Sequence, residues 1–144
     1  MDIDDTVAIH QLMSLYGHFM DQAQSAGYRA IGRSIDFAEV FTEDVRFRFD
    51  DQAITGRAAM EAMLDYGPDG DELAVAHCVT NVYVYEADGR TRVHAKWFVP
   101  DRATGGVATG DYHNIVERTA AGWRITDIDA RVRSYPGGAP TLKS

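Results

Sequence analysis

His77 is the residue whose chemistry most needs explaining. It stands in "ELAVAHCVTNVYVYEADGR", residues 72–90, an apolar segment that reads as a strand running into a tight turn. An imidazole placed there is either a core histidine with satisfied hydrogen bonds or a general base facing a pocket. Cys78 is adjacent, but neighbouring strand residues point to opposite faces, so a Cys–His nucleophile pair is not expected. Asp111 and His113 share a strand face, yet too few further ligands accompany them for a metal site. Tyr112 and Asn114 alternate with His113 and point together. Asp127 and Asp129 add two late-strand carboxylates.

The elements that must position these residues are legible from periodicity. Ile9, Leu12, Met13, Tyr16, Phe19, Met20 and Ala23 form one helical stripe over residues 4–25. Asp4 or Asp5 can cap its start, and Gly27 is a plausible stop. The spacing of Ile31, Ile35, Phe37, Ala38 and Phe41 predicts a second helix over 28–41. Val45, Phe47 and Phe49 alternate with Arg46 and Arg48, the pattern of a half-buried strand over 44–49, with a short strand near Ile54. "GRAAMEAMLDYG" predicts a third helix, ended by Gly67 and Pro68. Four β segments follow, at 73–86, 91–99, 107–118 and 123–133, and "YPGGAPTLKS" reads as a loose tail over 134–144. Helices first and an antiparallel meander after them is an α+β layout.

The turn at Asp88–Gly89 creates a register problem. A two-residue hairpin loop pairs residue 87 with 90. A straight ladder then places His77 on the side of Arg92, His94 and Lys96, while Val84, Val93, Ala95 and Trp97 face the core. A β-bulge near Thr80–Asn81 would shift the parity and bring His77 and Val79 to the core side. Arg92, His94 and Lys96 then form a solvated or oligomer-facing stripe.

Bulk properties narrow the function. The 144 residues are one ordinary domain, and 45% hydrophobic with 25% charged is a globular composition. The net charge of −8, with dispersed cations, argues against nucleic acid. No apolar run is long enough for a membrane span, and the acidic start "MDIDDTVAIH" is unlike a secretory signal. A single cysteine excludes an intrachain disulfide and a cysteine zinc site, and a reducing cytoplasm is the simplest expectation.

"IHQLMSLYGHFMD", "FAEVFTEDVRF", "GRAAM", "AHCVTN" and "TGDYHNIVERTAAGWRI" together resemble the SnoaL-like branch of the NTF2-like superfamily, over roughly residues 5–133. The resemblance implies a cone: helices in the concave face of a curved mixed or antiparallel sheet, as one domain spanning 1–144. Within the superfamily the pattern is nearest the scytalone dehydratase, hexachlorocyclohexane dehydrochlorinase and bile acid 7α-dehydratase group. Members of that group use a His–Asp dyad, and His77 and Asp21 match its two positions. Tyr16 resembles a site tyrosine, and Tyr112 and Asn114 match pocket-lining positions. Arg131 is a candidate by location, although one alignment places Ile128 there. Val79, Trp97 and Phe98 are the expected apolar pocket residues.

That resemblance implies a cofactor-independent lyase, with no metal, acting on a small hydrophobic or aromatic substrate, and a homo-oligomer, dimer or trimer. Two other readings share the fold. One is a polyketide cyclase or isomerase using Asp111, Asp127 or Asp129 as its carboxylate. The other is a non-catalytic binding module, or one like a ring-hydroxylating dioxygenase β subunit.

Overall fold

In the computed structural model, residues 1–24, 29, 31–65 and 75–142 are described. The expected stops at Gly27, Gly67 and Pro68, and the strand start at Leu73, lie outside them. Helix α1 (Ile3–Gln24) is followed by α2 (Phe37–Val40), β1 (Phe41–Phe49), β2 (Gln52–Thr55) and α3 (Arg57–Met63). Four long strands complete the chain: β3 (Cys78–Ala87), β4 (Arg90–Pro100), β5 (Val107–Thr119) and β6 (Gly122–Ser134). The strands form one curved, unclosed sheet in the order β2-β1-β6-β5-β4-β3. It is mixed, because β1 runs parallel to β6 while every other pairing is antiparallel.

Helix α1 lies across the inner face, against β3 and β6. The predicted stripe faces the sheet: Ile9, Leu12, Met13, Tyr16, Phe19 and Met20 are all buried. Each fully buried side chain of this size contributes about 1.5–3 kcal/mol, so this face holds the helix in place. The cap is Asp2 rather than Asp4 or Asp5. Its Oδ1 accepts the Asp5 N–H at 2.8 Å. Asp5 instead accepts the Trp123 indole N–H at 3.0 Å and pairs with Arg118.

The expected second helix shrinks to one turn. Ile35, Phe37, Val40 and Phe41 are buried, but Ile31 is 41% exposed, so the apolar spacing does not continue back along a helix. Gln22 explains the rest. Its side chain brackets the Ile35 backbone, accepting the N–H at 2.7 Å and donating to the carbonyl at 2.9 Å, which holds that residue outside α2. Glu39 reaches back to the Asp36 N–H at 2.8 Å and starts the helix there.

The expected bulge is present in β3. Tyr83 pairs with His94 and Ala87 with Arg90, as the Asp88–Gly89 turn requires. Thr80 pairs with Lys96 and Cys78 with Phe98, so Asn81 and Val82 together oppose one residue, Ala95. Asn81 takes a φ of 52°, the left-handed region that asparagine tolerates better than most residues. The two halves of β3 therefore face the core with opposite parity: Val84 beyond the bulge, Val79 before it.

Residues 135–142, expected as a loose tail, are pinned to the body. Gln52 donates to the Pro140 carbonyl at 3.3 Å and accepts the Leu142 N–H at 2.7 Å. No described helix is long and apolar enough to cross a membrane.

Candidate functional site

The concave side holds a cavity of about 400 Å³ between α1, α3, the sheet and the C-terminal segment. That is the size range of small-ligand pockets. Its walls are mainly Met20, Phe47, Phe49, Met63, Trp97, Val99, Ala130 and Leu142. Its polar groups come from Tyr16, Gln24, His77, Tyr112, Tyr135 and Thr141. Among the described lining residues there is no Asp, Glu, Lys or Arg.

His77 enters this cavity from just before β3, two residues ahead of Val79 and on the same side of the bulge. Its ring Nδ1 lies 2.8 Å from Asp21 Oδ1, and its backbone N–H donates to the same oxygen at 2.8 Å. Both side chains are largely covered. An ionised carboxylate only accepts, so Nδ1 carries the proton and Nε2 of the neutral ring holds the lone pair. Asp21 lies in the last two turns of α1, where the helix dipole disfavours a carboxylate. Two donors on one oxygen offset that penalty.

Tyr16 and Tyr112 meet across the cavity wall, hydroxyl to hydroxyl at 3.2 Å, with their rings edge to face. Burial pushes the Tyr112 hydroxyl well above the usual tyrosine value, and the Tyr16 bond only partly counters it. Tyr112 therefore stays protonated and can donate. Half-burial, with a smaller push from Asp101, raises the Tyr135 hydroxyl as well. Trp97 lies over Gly110, its cross-strand partner, and donates its indole N–H to the Asp111 carbonyl at 3.2 Å. A Cβ at Gly110 would stand 2.3 Å from the indole, so glycine is what lets the ring lie flat as a cavity wall.

The structure thus gathers Asp21, His77, Tyr16, Tyr112 and Trp97 in one place. Four other expected pocket residues lie elsewhere. Asn114 is buried below the cavity, its amide spent on the Asp129 N–H at 3.2 Å and on Met13 Sδ at 3.8 Å. Val79 faces inward, but α1 covers it at Gly17. Phe98 alternates with Trp97 and so turns outward, 38% exposed. Arg131 alternates with Ala130 and also turns outward, onto Asp129 at 2.9 Å. Burial and then Asp21 raise the Cys78 thiol, so it is no ready nucleophile. The residues missed at the sequence level are mostly walls. Phe47 and Phe49 could have been found from the alternation of β1, but Tyr135, Thr141 and Leu142 carried no periodic signal.

A family model of the SnoaL-like domain matches residues 1–129, and the chain belongs to that family. Solved structures share the fold at low identity. An NTF2-like protein with a cystatin-like fold from Novosphingobium aromaticivorans is 21% identical at a TM-score of 0.70, covering 95% of this chain and 86% of its own. A candidate scytalone dehydratase from the same organism is 16% identical at a TM-score of 0.70, with 97% and 92% covered. A candidate aromatic-ring hydroxylase, again from that organism, is 24% identical at a TM-score of 0.64, with 94% and 93% covered. Comparison with proteins of curated function found no match. A candidate dehydratase, a candidate ring hydroxylase and the β subunit of a candidate ring-hydroxylating dioxygenase thus share this fold.

Proposed function

We propose that this protein is a cofactor-independent lyase that eliminates water, or a similar leaving group, from a small neutral cyclic substrate. One observation carries the reading: the His77 ring is held by Asp21 at 2.8 Å inside a cavity whose described walls bear no formally charged side chain. In such a site Nε2 takes a carbon-bound proton next to a carbonyl, and Asp21 stabilises the imidazolium that forms. The Tyr16–Tyr112 pair shares one of its two protons in the bond between the hydroxyls, and the other can be donated to the developing enolate oxygen. The imidazolium, or one of the tyrosines, returns a proton to the departing hydroxyl. Against the described walls a charged substrate would lose hydration without gaining an ionic partner, so a neutral, aromatic-sized ring fits them best.

The cyclase reading relies on Asp111, Asp127 or Asp129, and none of these is among the described cavity residues. The test is turnover of a panel of cyclic β-hydroxy ketones, followed by the ultraviolet absorbance of the conjugated product. His77→Ala and Asp21→Asn should each lower kcat by about 10³-fold or more, with the fold retained by circular dichroism. Full activity in His77→Ala, with loss on changing Asp111, Asp127 or Asp129, would transfer the chemistry to the cyclase reading.

A further inference from the structure

Gly17 lies in the middle of α1, where glycine is a poor helix former, and it is buried. A Cβ built on it would stand 2.9 Å from the His77 carbonyl oxygen and 3.7 Å from Val79 Cγ2. The near atom is backbone and cannot swing aside as a side-chain tip would. Asp21 follows one turn later on the same helical face. The peptide of His77 is thus laid directly on α1, its carbonyl over Gly17 and its N–H on Asp21.

From the other side, the strand is held to β4. The Ala76 N–H donates to the Pro100 carbonyl at 3.3 Å, and Cys78 pairs with Phe98. His77 is therefore caught between a ladder that fixes its position along the strand and a helix surface that fixes its depth. We infer that Gly17 is a positioning residue for His77: the missing side chain sets the depth at which Asp21 can hold the imidazole. The inference rests on the reading of His77 as the base. With alanine at 17 the His77 backbone must retreat by a few tenths of an ångström or more, and both bonds to Asp21 Oδ1 lengthen. Nδ1 then loses its fixed proton, and the ring relaxes toward the mixed tautomers of free imidazole.

The deciding experiment is nitrogen-15 NMR of histidine-labelled, full-length protein without substrate, paired with steady-state kinetics. The unaltered protein should show His77 as the Nδ1–H tautomer. Gly17→Ala should show a mixture, and kcat should fall about 10²-fold with KM nearly unchanged, the signature of misplacement rather than lost binding. Adding Gly17→Ala to Asp21→Asn should cost nothing further. A longer carboxylate should reach the displaced ring, so Gly17→Ala with Asp21→Glu should recover the single tautomer. That double variant also carries the test if Gly17→Ala alone does not fold. An unchanged His77 tautomer in Gly17→Ala, with kcat within about twofold, would overturn the inference. If the unaltered protein turns over no β-hydroxy ketone, the proposed reaction fails while the tautomer comparison still decides the role of Gly17.

Discussion

Two histidine–carboxylate contacts sit on opposite faces of the same sheet, and they differ in almost every respect. On the inner face His77 meets Asp21 at 2.8 Å, both side chains largely covered, with no cation in the cavity's described lining. On the outer face His94 meets Asp111 at 3.4 Å with its ring 43% exposed. Asp111 is shared there. Lys96 lies at 3.4 Å, and Arg133 closes on both of its oxygens. The Arg133 guanidinium, helped by His94 and Lys96, holds the Asp111 carboxyl well below the usual aspartate range against the opposing effect of burial. Next to it His113 stacks on His94 at 4.3 Å, and its pKa is lowered by burial and then by Arg131 and His94.

A carboxylate surrounded by cations is a structural anchor. It is too well satisfied to orient a base, and its histidine is too wet to need orienting. A carboxylate oxygen that meets both the backbone N–H and the ring Nδ1 of one histidine can govern that ring's tautomer. The difference lies in the company each carboxylate keeps, since the residue types are the same.

The largest expected effect tests that contrast directly. His94→Ala should leave turnover of the proposed substrates within about twofold, against the roughly 10³-fold loss expected for His77→Ala. Equal losses in the two variants, measured as kcat/KM, would erase the distinction between the faces. The next concerns the position where the two faces share backbone. Gly110→Ala would place a Cβ 2.2 Å from the Arg131 carbonyl and drive Trp97 from its place. It should cost about 1–3 kcal/mol in denaturant unfolding, as overpacking generally does. In a Trp123→Phe background, where Trp97 is the one tryptophan, a fluorescence spectrum unchanged in position and intensity would show that the indole does not depend on this glycine.

The smallest expected effect is the outer anchor itself. A carboxylate whose pKa is lowered by folding adds stability above its unfolded value, and that stability disappears as pH falls below about 4. Asp111→Asn should therefore cost on the order of 1 kcal/mol at pH 7, because the partners are exposed and screened. The gap to the unaltered protein should close in acid. A gap that widened between pH 5 and pH 3 would refute the assignment.

The β half of the fold was legible in the sequence because alternation and the Asp88–Gly89 turn both report on it. The edges of β4 and β5 fall within a residue of their expected places. Periodicity misread residues 28–41, where a buried Ile35 belongs to a segment fastened by Gln22 rather than to a helix. Alternation alone could have rejected Phe98 and Arg131, which neighbour inward-facing Trp97 and Ala130. It could not have rejected Val79, which faces inward but lies beneath α1. The Asp21–His77 contact joins residues 56 positions apart, which no local pattern can report. The resemblance supplied that pair, and the bulge supplied its geometry.

That bulge also divides β3 into two independent addresses. From Tyr83 to Ala87 the strand is in phase with the hairpin; from Cys78 to Thr80 it is one residue out of phase. Inside and outside swap names at Asn81. The facing of a residue near the turn therefore gives the facing of one near His77 only once the bulge is counted. Tyr83, beyond the bulge, is exposed, while Val79, before it, faces α1. A single left-handed residue, Asn81, sets which side of the sheet the imidazole reaches.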